Sequence, residues 1–198
     1  MARLMIIAFL SLIISFDSGC FNDSGQKTPS TPSQIIGDVR LYTFSPDQQY
    51  FLCEARELKL PPGTLLEDAL NNLGRHLSQN YFAKTYAEKV TDIRFEVLKI
   101  HEIPTSSRSL KIAVINMVDA NNDAIGYFFQ GSTGGQTTFY MLVSTFTQPH
   151  LVPPLLDGLV LLYNGEIIPE LDHINLTDIL TPRLVKHSVF RAIKASKG

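Results

Sequence analysis

The chain has 198 residues, with 17 lysines and arginines against 19 aspartates and glutamates. This near balance excludes the strong basic bias that attracts nucleic acid. The two cysteines, Cys20 and Cys53, are too few for a disulfide framework or a metal cluster. Once an N-terminal leader and tether are set aside, roughly 160 residues remain, which is enough for one domain with its own core.

Residues 1–19 are predicted to be a signal peptide. A short, positively charged start precedes an uncharged apolar run, Leu4–Phe16, which is shorter than the roughly 20 residues that a membrane-spanning helix needs. The ending Ser18–Cys20 resembles the lipobox of bacterial lipoproteins, whose cysteine carries a diacylglyceryl group, although Asp17 stands where that motif usually has leucine. The alternative is an ordinary secretory signal that leaves Cys20 as a free or disulfide-bonded thiol.

Residues 20–36 are expected to form a lipidated cysteine, Cys20, followed by a polar tether. The stretch Phe21–Gln34 is rich in Ser, Thr, Pro and Gly and offers almost nothing to bury. Such a composition cannot offset its own ordering entropy. We therefore expect the lipid to hold the chain on the extracytoplasmic side of a membrane in the cell envelope. The alternative is a disordered N-terminus without a role.

Residues 37–182 are predicted to form one α+β domain, which opens with a hairpin and a helix. Val39–Phe44 and Tyr50–Leu58 have the composition and alternation of two paired strands. Thr64 and Glu67 are expected to form a capping box at the start of the helix, in which each side chain satisfies a backbone N–H of the other. Apolar residues recur at helical spacing and predict one buried face: Leu66, Ala69, Leu70, Leu73 and Leu77. Whether Tyr81–Lys89 continues this helix or forms a separate piece stays open.

Three further strands and a second helix are predicted downstream. The strands are Ile93–Ile100, Leu110–Ile115 and Ala124–Phe129. Asp119–Asp123 favours a tight turn, because it lacks the glycine and the closing glutamate of an EF-hand calcium loop. A helix is expected from Thr138 to the break at Gln148–Pro149. Its apolar side comprises Phe139, Leu142, Val143 and Phe146.

Asn164–Gly165 predicts a hairpin turn near the end of the domain. Asn-Gly is the favoured type I′ dipeptide, because both positions must take positive φ. The turn would join the strand Leu159–Tyr163 to Glu166–Ile168.

Three short motifs follow one another in the second half of the chain. They are Ser144–Thr147, Asn164–Gly165 and Asp172–Thr177. In this order they resemble the GerMN domain, which is found in bacterial sporulation and spore-germination proteins and in other envelope lipoproteins. The third motif departs from the family at Asp172, where the family has glycine, and at Asn175, where it has aspartate.

The resemblance covers roughly residues 37–182, and it carries expectations about fold and function. It implies an α+β fold with a mixed or antiparallel sheet and two main helices packed on one face, similar to ring-building folds. It also implies a non-catalytic module that mediates protein–protein interaction or assembly of an envelope complex, with envelope proteins or copies of itself as partners. The motif residues Thr145, Asn164 and Gly165 are then structural. The extra strand at Ile93–Ile100 departs from the family pattern.

The residues themselves give no support for catalysis. His173 follows Asp172, but adjacent residues in an extended segment point to opposite faces, so His173 is interpreted as a structural hydrogen-bonding residue. No nucleophile elbow or paired-carboxylate site can be singled out, and no cofactor, metal or nucleic-acid partner is expected. The alternatives are a periplasmic cell-wall enzyme or enzyme modulator, and a small-ligand carrier. The carrier's apolar pocket would hold Tyr127, Phe128 and Phe129.

Residues 183–198 are predicted to be a basic C-terminal tail, because they include no acidic residue. On a helical wheel the basic Arg183, His187, Arg191 and Lys194 lie opposite an apolar side. Such a helix can lie on an anionic membrane surface or dock on a partner. The alternative is that it packs on its own domain.

Overall fold

The structure is a computed structural model. It describes the following residues: 37–44, 53–82, 84–86, 89–91, 93–122, 124–171 and 174–184. The predictions for the signal peptide, the tether, Cys20 and His173 lie outside these residues, as do those for the tail beyond position 184.

The domain opens with the predicted hairpin. Strand β1 (Asp38–Phe44) pairs antiparallel with β2 (Cys53–Lys59) in a sheet of two strands. Val39 and Leu41 of β1 are buried in the core, in keeping with the period of two along a strand.

Helix α1 (Leu66–Leu77) confirms the predicted apolar face, because Ala69, Leu70, Leu73 and Leu77 are buried. The predicted capping box of Thr64 and Glu67 is wrong. Leu65 occupies the N-cap position, and the helix start has no side-chain cap hydrogen bond. The Thr64 hydroxyl instead donates to the carbonyl of Pro61 at 2.5 Å, and the Thr64 N–H donates to the same oxygen at 3.2 Å. Because Leu65 takes the N-cap position, Thr64 lies one residue before it and bonds the Pro-Pro-Gly turn instead.

The segment Tyr81–Lys89, which the sequence left open as a continuation of α1 or a separate piece, contains both. The helix continues as one π-helical turn, Ser78–Phe82, and then gives way to a short hairpin. The strands of this hairpin are β3 (Lys84–Tyr86) and β4 (Lys89–Thr91).

The main sheet has four strands in the order β5-β6-β7-β8. Strand β5 (Ile93–Pro104) pairs antiparallel with β6 (Ser109–Asp119), and a bulge lies between Val97 and Lys99. Strand β6 is parallel to β7 (Gly158–Tyr163), which turns back into β8 (Glu166–Ile167). The sheet is therefore mixed.

Two helices connect the parallel strands β6 and β7: α2 (Ala124–Phe128) and α3 (Ser132–Thr147). The predicted strand Ala124–Phe129 is wrong, since most of this segment is α2. Phe128 is buried there against Phe82, with ring centroids 4.7 Å apart. Packing in the helical layer thus overrides the strand preference of the aromatic residues. Helix α3 is the predicted second helix, and it begins six residues earlier than Thr138.

Helices α1 and α3 pack on the same face of the main sheet. Ala113, Ile115 and Met117 of β6 are buried in one core with the apolar residues of both helices. Phe95 of β5 meets Phe146 of α3 at 5.6 Å between ring centroids. The fold is α+β, with a mixed sheet and two main helices, as predicted. Among the described residues, no helix is both long and apolar enough to cross a membrane.

Candidate interaction surface

The first motif of the resemblance joins α3 to the edge of β1. Thr145 is buried, and its hydroxyl oxygen accepts the N–H of Tyr42 at 3.1 Å. The same hydroxyl donates to the carbonyl of Tyr42 at 3.3 Å. Thr145 thereby satisfies two backbone groups that a neighbouring strand would otherwise pair, which gives this predicted motif residue a structural role.

Gln148, which the sequence pattern predicts only as the end of a helix, makes a second contact with β1 three residues further along the chain. Its Oε1 accepts the N–H of Arg40, and its Nε2 donates to the carbonyl of Arg40, both at 2.7 Å. Nε2 also donates to the carbonyl of Thr145 at 2.5 Å. Gln148 has φ 50°, a left-handed conformation that ends the helix. Polar residues are frequent in this helix, so the sequence alone gave no signal that singled out Gln148.

The second motif is the predicted turn. Asn164 has φ 51° and Gly165 has φ 83°, and the turn joins β7 to β8. The side chain of Asn164 accepts the N–H of Asp119 at 2.8 Å and donates to its carbonyl at 3.1 Å. The N–H of Gly165 donates to the side chain of Asn116 at 2.8 Å. The turn is therefore bonded to the end of β6.

Asp119 is a buried carboxylate at the same place. Its Oδ2 accepts the hydroxyl of Tyr163 at 2.5 Å, and its Oδ1 accepts the N–H of Asn121 at 3.0 Å. The second bond closes an Asx turn, which agrees with the turn predicted for this stretch. Both carboxylate oxygens thus hold local structure.

Two ionisable pairs lie elsewhere on the domain. The Tyr42 hydroxyl lies 3.2 Å from Nδ1 of His150, whose pKa is lowered, first by burial and then by the positive charge of Arg40, against a smaller opposing effect of Glu57. Asp157 forms a two-pronged ion pair with Arg108 and also accepts the N–H of Lys111 at 2.8 Å. The hydrogen bond with Asp157 raises the pKa of Arg108.

The face of the main sheet turned away from the helices is apolar along its two central strands. We call this surface the open sheet face. Its β6 and β7 members are half-buried: Leu110, Ile112, Val114, Val118, Val160 and Leu162. A sheet with one solvated face normally places polar residues outward. On β6, Asn116 is the polar exception, and the Asn-Gly turn engages it.

Large exposed apolar side chains border the open sheet face. Ile103 of β5 is 44% exposed and pairs with Leu110, and Ile167 of β8 is 57% exposed and pairs with Leu162. Leu98, in the bulge of β5, is 53% exposed. In the part of the chain that the structure describes, β6 is the only strand that pairs with β5. The edge strand and the apolar face together form the candidate interaction surface.

Within the described residues, no group of three or more His, Cys, Asp or Glu side chains is arranged to hold a metal ion. The six residues predicted to be structural divide into three sets. Thr145, Asn164 and Gly165 hold the fold together, as described above. Thr64 and Glu67 do not form their predicted pair, and His173 lies outside the described residues.

No protein-family model, no curated protein and no solved structure matches the chain. The resemblance to the GerMN domain therefore stays a prediction, which rests on the order of its motifs.

Proposed function

We propose that this chain is a membrane-anchored envelope lipoprotein whose GerMN-like domain is a non-catalytic module for protein–protein interaction or assembly of an envelope complex. The observation that carries the proposal is the open sheet face. Apart from Asn116 of β6 and Gly158 of β7, its outward positions on these two strands are Ile, Leu and Val residues, where solvent alone would favour polar ones.

An apolar surface of this kind is typical of a binding site for another protein. Exposed Ile103 and Ile167 extend it at both edges of the sheet. Edge strands also offer unpaired backbone groups to a partner chain. The charged side chains of β5 that share this face, Arg94, Glu96 and Lys99, would form a polar rim at one side.

The polar groups of the motifs also support a non-catalytic role. Thr145, Gln148 and Asn164 each bond backbone groups of a neighbouring element. Asp119 accepts hydrogen bonds through both carboxylate oxygens. Side chains held in this way position the fold and leave little capacity for proton transfer or nucleophilic attack.

The alternative of a ligand carrier is less well supported, because the three aromatic residues proposed for its pocket lie in different surroundings. Phe128 and Phe129 are buried members of the core. The ring of Phe128 packs against Phe82 and Tyr81, at 4.7 and 5.5 Å between centroids. Tyr127 is 40% exposed, so the three aromatic residues do not share one buried site.

Site-specific photo-crosslinking in the native envelope tests the proposal. A photoreactive amino acid replaces Ile103 or Ile167 in the full-length chain, and the matched control replaces Leu65, which is 48% exposed and precedes α1. We expect discrete protein adducts at the two sheet positions and none at position 65. Equal adducts at all three positions, or none at any, would contradict an interaction through the open sheet face.

Charge substitutions provide a second test of the same surface. Ile103→Lys and Ile167→Lys should reduce the size of the complex that runs on a native gel after mild detergent extraction, because a charge in an apolar interface is costly. Leu65→Lys should leave the complex unchanged. All three positions are exposed, so loss of folding, checked by thermal melting, is not expected.

A further inference from the structure

A groove lies where the end of α1 meets the edge strand β5. The groove is open to solvent and has a volume of about 470 Å³, which is within the size range of sites for small ligands. Its lining comes from both elements: Asn71, Arg75, Ser78, Gln79, Arg94, Phe95 and Glu96. None of these residues belongs to the motifs that the resemblance singled out.

The two walls of the groove are held together at its base. The buried hydroxyl of Ser78 donates to the carbonyl of Ile93 at 2.5 Å. Gly74 brings α1 close to β5, because a Cβ at this position would lie 2.8 Å from Cβ of Phe95. These two contacts join α1 and β5 at the base of the groove, while the charged side chains of Arg75, Arg94 and Glu96 are exposed.

In the part of the chain that the structure describes, no hydrogen bond or ion pair engages the side chains of Arg75, Arg94 or Glu96. Two arginines with ten N–H donors between them thus line one groove, beside the carboxylate of Glu96. Guanidinium groups match the geometry of a carboxylate through paired hydrogen bonds.

The other polar side chains of the groove favour a ligand that has amide groups beside its carboxylate. Asn71 and Gln79 each carry a donor and an acceptor, and Glu96 adds an acceptor. These groups complement the N–H and C=O of a peptide bond. Glu96 also opposes a ligand with several negative charges, because like charges at close range repel. A single carboxylate among amide groups fits this combination better than a phosphate does.

We propose that this groove binds a short acidic peptide segment, with the carboxylate against Arg75 and Arg94 and the flanking amides against Asn71, Gln79 and Glu96. Arg94 and Glu96 also stand on the polar rim of the open sheet face, but the binding needs none of the apolar residues of that face, so the inference goes beyond the proposed function and does not depend on it.

Titration of the isotope-labelled full-length chain tests the groove. The probe is N-acetyl-L-glutamate N-methylamide, and its neutral counterpart is N-acetyl-L-glutamine N-methylamide. We expect the charged probe to shift the side-chain N–H resonances of Arg75 and Arg94 and to bind about tenfold more tightly than the neutral one, since hydrogen bonds between charged groups are the stronger ones. Equal affinities would overturn the assignment of a carboxylate site.

Variants localise the binding. Arg75→Gln and Arg94→Gln should each weaken binding of the charged probe about tenfold. Arg56→Gln, an exposed arginine of β2 outside the groove, should leave binding unchanged. Equal losses in all three variants would overturn the proposal in favour of nonspecific charge attraction.

Two simpler anions complete the experiment. Acetate should bind more weakly than the charged probe, because it lacks the amide groups, and inorganic phosphate should also bind more weakly because of Glu96. Phosphate binding that is tighter than probe binding would overturn the peptide assignment. Because the photo-crosslinks at Ile103 and Ile167 are measured separately, failure here leaves the proposed function standing.

Discussion

The side chain of Gln148 binds the backbone of Arg40 through both of its polar atoms, at 2.7 Å each. Gln148 stands at the end of α3, and Arg40 lies in β1, more than one hundred positions earlier in the chain. With Thr145, which bonds Tyr42 in the same way, the helix completes the free edge of the β1–β2 hairpin. Hydrogen bonds from two side chains therefore replace a third strand.

Loss of the Gln148 amide should be costly. Gln148→Ala would leave the N–H and the carbonyl of Arg40 without their partners, and each unsatisfied buried group costs about 1–3 kcal/mol. We expect the free energy of unfolding, measured by urea denaturation, to fall by about 2–4 kcal/mol. The control is Gln136→Ala, an exposed position on the same helix, where the change should stay within about 0.5 kcal/mol. Equal effects would show that the join to β1 contributes little.

The apolar face of α1 should contribute to stability through burial. Leu70 and Leu73 are fully buried, so Leu70→Ala or Leu73→Ala should cost about 2–5 kcal/mol in the free energy of unfolding. Leu65→Ala, at the exposed N-cap position, should change it by about 0.5 kcal/mol or less. Similar, small effects at all three positions would contradict the assignment of α1 to the core.

Two adjacent glycines in the first turn of α3 should respond in opposite directions to alanine. A Cβ at Gly134 would meet nothing within 4 Å, so Gly134→Ala should stabilise the fold by about 0.5–1 kcal/mol through helix propensity. A Cβ at Gly135 would lie 2.4 Å from Cδ1 of Ile174 and 2.9 Å from the carbonyl oxygen of Phe129. Gly135→Ala should therefore destabilise it by about 1–3 kcal/mol. Thermal melting of the two variants measures these changes in stability. Changes of the same sign in both variants would contradict the packing of Ile174 on α3.

His150 should make stability depend on pH. Its pKa in the folded chain lies below the ordinary value of 6.5, chiefly because of burial. As the pH falls, the unfolded chain binds a proton first, so stability rises with pH in this region. The contribution of neutral His150 to the free energy of unfolding is complete above about pH 6.5. It is lost as the pH falls from there towards the lower pKa of the folded state.

Urea midpoints measured between about pH 5 and pH 8 check this dependence. We expect His150→Gln to flatten the rise of stability with pH. An unaltered slope in His150→Gln would mean that other groups govern the pH dependence.

Cys20 should be acylated, and the mature chain should begin there. The membrane fraction should yield an N-terminal peptide that carries lipid, identified by mass spectrometry. Asp17→Leu should improve processing, because it restores the usual residue of the lipobox. Cys53→Ala should leave the chain in the membrane fraction, whereas Cys20→Ala should release it. A soluble chain with an unmodified Cys20 would refute lipidation.

Short-range patterns were sufficient for several elements. The stripe from Leu66 to Leu77 predicted α1 because residues three and four apart share a helix face. Asn164–Gly165 predicted its turn because few dipeptides accept two positive φ angles. In each case the deciding physics acts between residues that are neighbours in the chain.

Other features depended on contacts between distant parts of the chain. The segment after Ala124 forms a helix because Phe128 is buried against Phe82, and local preference for a strand loses to that burial. The hydroxyl of Thr64 donates a hydrogen bond to the carbonyl of Pro61, and the capping pattern alone does not indicate this bond to the preceding turn. Composition predicted that the domain has a core. The tertiary structure alone determined which sheet face stays open, because β6 pairs with β7 in parallel and both main helices lie on one side of the sheet. The open sheet face and the arginine groove arise from that arrangement, because their residues are brought together by tertiary packing rather than by spacing in the sequence.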